Sequence, residues 1–190
     1  MLATVLLLGA CNMFGGKRHE RPPDPATQRA NNYDRALELK AHADCVHAVP
    51  LFEPLAKLGK GYEPAQLQLG QCYIDLARTA ASPEQAAQYR TRGADWILKA
   101  ANSQLSTAQE QAAKLELDGI GVPPDPIEAG KWFLLLERNP LRPLVGPAVI
   151  DPALQQRLRQ RLSDAEWAEA RARAEQWKPV DQTSTAPATH

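Results

Sequence analysis

The sequence predicts an all-α protein: a short α-solenoid of antiparallel helical hairpins with a C-terminal capping helical hairpin. Three observations carry this. Ala65-Gln-Leu-Gln-Leu-Gly-Gln-Cys-Tyr73 lines up with Ala108-Gln-Glu-Gln-Ala-Ala-Lys-Leu-Glu116, and each is followed by a Trp-led apolar stretch, at Trp96 and at Trp132. Such internal self-similarity marks repeat architectures. Ala65 to Trp96 is 31 residues and Ala108 to Trp132 is 24. The difference, seven, is close to two helical turns, which lengthens a hairpin without rotating its buried face. Finally, the 16 prolines gather around 22–25, 50–64, 123–126 and 140–152, as punctuation between helices does.

With 190 residues the chain suits one domain with tails, and a 44% hydrophobic content is enough for a core. Lys+Arg and Asp+Glu are both 22, for zero formal net charge. That balance lacks the basic excess of a general nucleic-acid binder, so no nucleic-acid partner is expected.

Taken in order, residues 1–11 are apolar and end at a cysteine: Met1-Leu-Ala-Thr-Val-Leu-Leu-Leu-Gly-Ala-Cys11. As a helix they would span roughly 15 Å, about half a bilayer core, too short to cross it. They read as the apolar region of an export signal; a buried apolar N-terminal strand or helix is the alternative. Leu8-Gly9-Ala10-Cys11 resembles the bacterial lipobox. The resemblance implies lipid on the Cys11 thiol, cleavage just before it, and anchorage in the cell envelope facing the periplasm. Asn12 after the cysteine resembles an outer-membrane address. No Lys or Arg precedes the apolar run, which suggests a basic segment lost upstream through a misplaced start. Residues 12–29, with Gly15-Gly16-Lys17-Arg18-His19-Glu20-Arg21-Pro22-Pro23, read as a flexible tether. Lys17, Arg18 and Arg21 are available to anionic head groups or simply solvated.

Helices are expected near 30–43, 45–58, 64–79, 83–102, 106–117, 126–138, 151–161 and 163–177. The first six form the repeat domain, 30–138. Pro50 and Pro54 fall inside the second helix, which should be kinked or start late. Ser82-Pro83-Glu84 and Asp125-Pro126 each place a capping side chain before a first-turn proline. Gly119 and Gly121 suit a sharp turn between the halves of the second unit. A Pro-rich connector and a terminal hairpin fill 139–178, and Ser163-Asp-Ala-Glu166 is a capping box opening the last helix. Leu154, Leu158, Leu162, Trp167, Ala170, Ala174 and Trp177 recur at helical spacing, between charges that read as a solvated outer face. A polar, disordered tail is expected over 179–190.

Cys45 and Cys72 are an even pair once Cys11 is lipidated. An exported protein meets an oxidising compartment, so a disulfide is plausible. It would close a loop of about 28 residues, for about 3 kcal/mol by loop entropy. Geometry opposes it: a hairpin folded about residue 61 sets Cys72 opposite Pro50, five residues or roughly 7 Å from Cys45. A kink at Pro50 or a tilt would close the gap. The alternative of a metal site from His42, Asp44, Cys45, His47 and Cys72 fits no familiar zinc spacing.

The motifs Ala-Gln-x-x-Leu-Gly-x-x-Tyr at Ala65–Tyr73, Gly119-x-Gly121-Val122 and Ala129-x-x-Trp132 resemble the Sel-one-like repeat, a tetratricopeptide-related family. The resemblance covers roughly residues 44–138. Ala113 stands where the family prefers Gly, the position Gly70 holds in the first unit, and the first unit lacks the Gly-x-Gly turn. The resemblance implies a scaffold for protein or peptide partners in the bacterial envelope, and a terminal hairpin that caps the stack. Stacked hairpins present a groove lined by first-helix residues; Gln66, Gln68, Gln71, Gln109 and Gln111 are the candidates.

No catalytic constellation, cofactor motif or metal motif stands out. His19 and His190 sit in the tether and at the end of the chain, and His42 and His47 do not share a helical face. Glu116 and Asp118 read as exposed charges at a helix end. Trp96, Trp132 and Tyr73 read as core. The alternatives to a scaffold are an accessory subunit of an envelope complex and, from some cysteine-rich relatives, a β-lactam-binding or hydrolysing enzyme, for which no activated serine is evident.

Overall fold

A computed structural model describes residues 24–145 and 149–181 of the chain. Cys11 with its expected lipidation, the expected tether before Asp24, His19, part of the connector and the residues from Gln182 to His190 lie outside the described residues. Within them are nine helices and no strand: α1 (Pro25–Ala41), α2 (Cys45–Ala56), α3 (Glu63–Arg78), α4 (Pro83–Asn102), α5 (Ser106–Asp118), α6 (Pro126–Arg138), α7 (Arg142–Val145), α8 (Pro152–Arg161) and α9 (Asp164–Gln176).

Local chemistry sets most boundaries. Asp24 accepts from the Ala26 and Thr27 N–H groups, and Pro25 opens the first turn, so α1 starts five residues before the expected position. Residues 25–29, expected to belong to a tether, are therefore helical; the Asp-Pro start signal was hidden in a linker-like composition. Asp44 caps α2, Ser82 caps α4, Asp125 caps α6 and Asp151 caps α8. The Ser163–Glu166 capping box opens α9. Gly119, at φ 67°, ends α5 in the left-handed region, and Gly121 follows at φ 77°. α2 does not start late: it runs from Cys45 through Pro50 and Pro54 to Ala56. α7 is a single turn in the Pro-rich connector.

The helices pair as antiparallel hairpins, α1 with α2, α3 with α4, and α5 with α6, and each hairpin packs on the next through α2–α3 and α4–α5. Two cores result. Phe52, Leu55, Leu69, Cys72 and Tyr73 centre the N-terminal one, and Ile97, Leu115, Trp132, Phe133 and Leu135 the C-terminal one. Trp132 and Tyr73 are buried, whereas Trp96 is only partly so, with the Lys99 ammonium 4.8 Å above its ring.

Cys45 and Cys72 are joined by a disulfide, with Cα atoms 5.2 Å apart. The pivot explains the misfit in counting. With helix ends at Ala56 and Glu63, the hairpin folds between residues 59 and 60, which sets Cys72 opposite about His47. Most of the five-residue discrepancy disappears.

The terminal hairpin docks on α6. Leu154, Leu158 and Leu162 are buried, Trp167 meets Phe133 edge-on at 6.4 Å, and Trp177 meets Trp132 at 6.2 Å. Its arginines are not all solvated: Arg173 reaches Asp125 and Glu128, and Arg157 pairs with Asp118. The chain then runs back along the stack. Trp177 Nε1 donates to Asn102 Oδ1 at 3.3 Å, the Val180 N–H to the Asn102 carbonyl at 2.8 Å, and Lys60 lies 3.2 Å from Asp181. Residues as far as Asp181 are thus held, so a disordered tail cannot begin at 179.

Candidate functional site: a cleft between the first helices

The first helices of the second and third hairpins, α3 and α5, carry a repeated polar pattern. Gln68, Gln71 and Asp75 on α3 stand 43 residues before Gln111, Lys114 and Asp118 on α5. Within each set the spacing is i, i+3, i+7, which places the three on one helical face. Lys40 near the end of α1 completes a cleft of about 370 Å³ that includes Gln71, Asp75, Gln111, Lys114 and Asp118. Ile74, Ile97, Leu115 and Ile120 supply its apolar part.

Charge in the cleft is largely balanced from within. The Lys40 ammonium donates to Gln68 Oε1 and Gln71 Oε1, and burial pulls it below the ordinary lysine range against the opposing field of Asp75. Lys114 lies 2.8 Å from Glu110 and 3.1 Å from Asp151. Burial pulls its ammonium down, but the two carboxylates outweigh this and hold it above its usual value. Asp75 accepts from Arg78 at 2.7 Å, and Arg157 closes the far end on Asp118, whose carboxylate keeps the guanidinium charged. Such a surface offers amides and paired charges at regular intervals. It is suited to hydrogen-bonding an extended peptide, which presents donors and acceptors at a regular pitch.

Gln68, Gln71 and Gln111 thus stand on or beside the cleft, but Gln66 and Gln109 do not. Both are buried: Gln66 Nε2 donates to the Ala56 carbonyl at 3.1 Å, and Gln109 Oε1 accepts from Asn139 Nδ2 at 2.7 Å. Each precedes a cleft glutamine by two residues, which turns it to the other side of its helix. The groove assignment of these two is therefore corrected to cross-hairpin packing. Sequence reading also missed Lys40, Asp75, Lys114 and Asp118. The 43-residue equivalence of Asp75 and Asp118 was the available signal.

No family model matches the chain, and no curated protein matches it significantly. The repeat-signature residues are structural where the chain is described: Ala65, Gly70, Tyr73, Ala108, Ala113, Ala129 and Trp132 are buried, and Gly119 and Gly121 form the α5–α6 turn. No described helix is long and apolar enough to cross a membrane. Among the described residues no cluster of three His, Cys, Asp or Glu is placed to hold a metal.

Glu116 differs from its expected role. It is buried, not an exposed helix-end charge. Burial, then Glu128 and Asp125, push its carboxyl up to about 7, against the pull of Lys131. Asp118, two residues on, does point outward. Glu116 lies on the α6 side of α5, away from the cleft glutamines, and belongs to the hairpin interface.

Proposed function

We propose that the protein is a lipid-anchored helical-repeat scaffold of the bacterial envelope that holds a peptide segment of a partner protein in the α1–α3–α5 cleft. The observation that carries this reading is the convergence of equivalent polar positions from successive first helices on one cleft. A repeat that served packing alone would have no need to place Gln71, Asp75, Lys114 and Asp118 on one open face. The lipobox-like Leu8-Gly9-Ala10-Cys11 supports the anchor, and the Cys45–Cys72 disulfide supports an oxidising compartment. The resemblance of the repeat motifs to the Sel-one-like family supports a role in protein–protein contact.

The test is affinity capture of tagged, full-length protein from solubilised envelopes, followed by mass spectrometry. Gln111→Trp fills the cleft, while Gln88→Trp burdens the exposed face of α4 and serves as the control. A stoichiometric partner retained by the control and lost with Gln111→Trp is expected. A partner retained by both, or none enriched by the unmodified protein, overturns the reading.

A further inference from the structure

A second cleft lies at the other end of α1, apart from the peptide cleft. Ala26, Arg29, Ala30 and Tyr33 fall on one face of α1. Opposite them are Leu55 at the end of α2, the turn residues Gly61 and Tyr62, and Pro64 and Ala65 at the start of α3. The space measures about 340 Å³, within the range of small-molecule sites. Among the described residues its wall is apolar and aromatic apart from one cation, Arg29. The Nε of Arg29 is buried and has no hydrogen-bond partner among the described residues. Glu63, a carboxylate of the same turn, accepts from the Gly61 N–H at 3.0 Å. Tyr33 is fixed edge-on against Phe52 at 5.8 Å, and burial, reinforced by Asp34, raises its hydroxyl above the ordinary range, so it is a neutral donor at pH 7.

An Nε–H buried beside an apolar wall, with no acceptor among the described residues, has lost hydration that an anionic ligand would replace. We propose that this cleft binds a small amphiphilic carboxylate, whose apolar body lies against Tyr33, Leu55 and Tyr62 and whose anion pairs with Arg29. The pairing is a charge-assisted, geometrically defined contact of the kind guanidinium groups favour. An uncharged ligand of the same shape fills the space but gives the Arg29 Nε–H no anionic acceptor. A second cation would be repelled. The chemistry commits to a monoanion with one ring or a short branched chain; polyanions would leave charge against the apolar wall.

The probe is 3-phenylpropanoate, compared with its amide, 3-phenylpropanamide. Each is titrated into the full-length protein at pH 7 by calorimetry, with the Tyr33 and Tyr62 ring signals followed by NMR. The carboxylate is expected to bind with a Kd of about 0.1–1 mM, and the amide at least about tenfold more weakly. Arg29→Gln removes that preference, and Ala30→Trp, which fills the cleft from its rim, removes binding of both. Circular dichroism and the melting temperature of each variant report whether it is folded. The proposal is overturned if the carboxylate does not bind, if acid and amide bind alike, if Arg29→Gln keeps the preference, or if the shifts fall on residues outside this cleft. Failure here leaves the peptide cleft untouched, since no residue is shared between the two.

Discussion

Gly70 of α3 and Gly93 of α4 face each other backbone to backbone: a methyl group on Gly70 would lie 2.7 Å from the Gly93 carbonyl oxygen, and one on Gly93 would lie 2.8 Å from that of Gly70. The α3–α4 hairpin is thus closed more tightly than a Cβ allows. The equivalent positions of the α5–α6 hairpin, 43 and 36 residues on, are Ala113 and Ala129, both fully buried. Gly70→Ala should therefore destabilise the protein by about 1–3 kcal/mol, the usual range for overpacking. Ala113→Gly should cost about 1 kcal/mol through helix propensity and a lost methyl. Urea unfolding at constant m-value measures both. A neutral Gly70→Ala would mean that the hairpin can open without penalty.

Gly121 is constrained twice. Its φ is 77°, and an added Cβ would fall 2.1 Å from the Arg90 carbonyl oxygen on α4. No side-chain rotation relieves a backbone clash. Gly121→Ala is expected to lose about 3 kcal/mol or more, whereas Gly61→Ala, at φ 85° but with nothing within 4 Å, should lose only about 1 kcal/mol. The pair of thermal denaturation curves separates the clash from the dihedral.

Glu116 gives stability a pH dependence of unusual sign for a carboxylate. Its pKa rises from 4.5 in the unfolded chain to about 7 in the folded one, so the folded state binds the extra proton. The contribution is whole below about pH 4.5 and is lost as pH rises through 7. Glu116→Gln should flatten the pH profile of stability between pH 5 and 8, so that the variant gains on the unmodified protein as pH rises, by on the order of 2 kcal/mol at pH 8. Equal slopes for the two proteins would remove Glu116 as the cause.

The disulfide predicts a redox-dependent melting point. Cys45→Ala/Cys72→Ala should lose about 3 kcal/mol, the entropy of an open loop of this length. Reductant should lower the unmodified protein towards the variant and leave the variant unchanged. Urea curves with and without reductant decide it.

Much of the fold was legible because its signals are local. Caps at Ser82, Asp125 and Ser163 and the turn at Gly119 depend on a few neighbouring residues, and the Trp-aligned repeat fixes hairpin order. What stayed hidden depended on three-dimensional register. Gln66 and Gln68 look alike in sequence, yet a turn of two positions buries one and leaves the other against Lys40. Glu116 looked exposed because its burial comes from α6, which follows only after the turn. The disulfide depended on where the hairpin pivots, and a shift of that point from 61 to between 59 and 60 was enough to change the answer. Residues 25–29 were read as linker because Pro25 sits in a run of prolines, although Asp24 provides the cap.

The return of the chain after α9 alters how the whole stack can come apart. A linear array of helical pairs, each touching only its neighbours, ordinarily frays from its ends, one unit at a time. Here Val180 is hydrogen-bonded beside the junction of the middle and last pairs, and Asp181 reaches Lys60 across a separation of 121 residues. The exposed ion pair adds little by itself, but the clasp ties the last element to the turn between the first two pairs. Melting the terminal helices then also releases these contacts to the middle of the array. The transition becomes more nearly all-or-none, and the long-range closure slows folding.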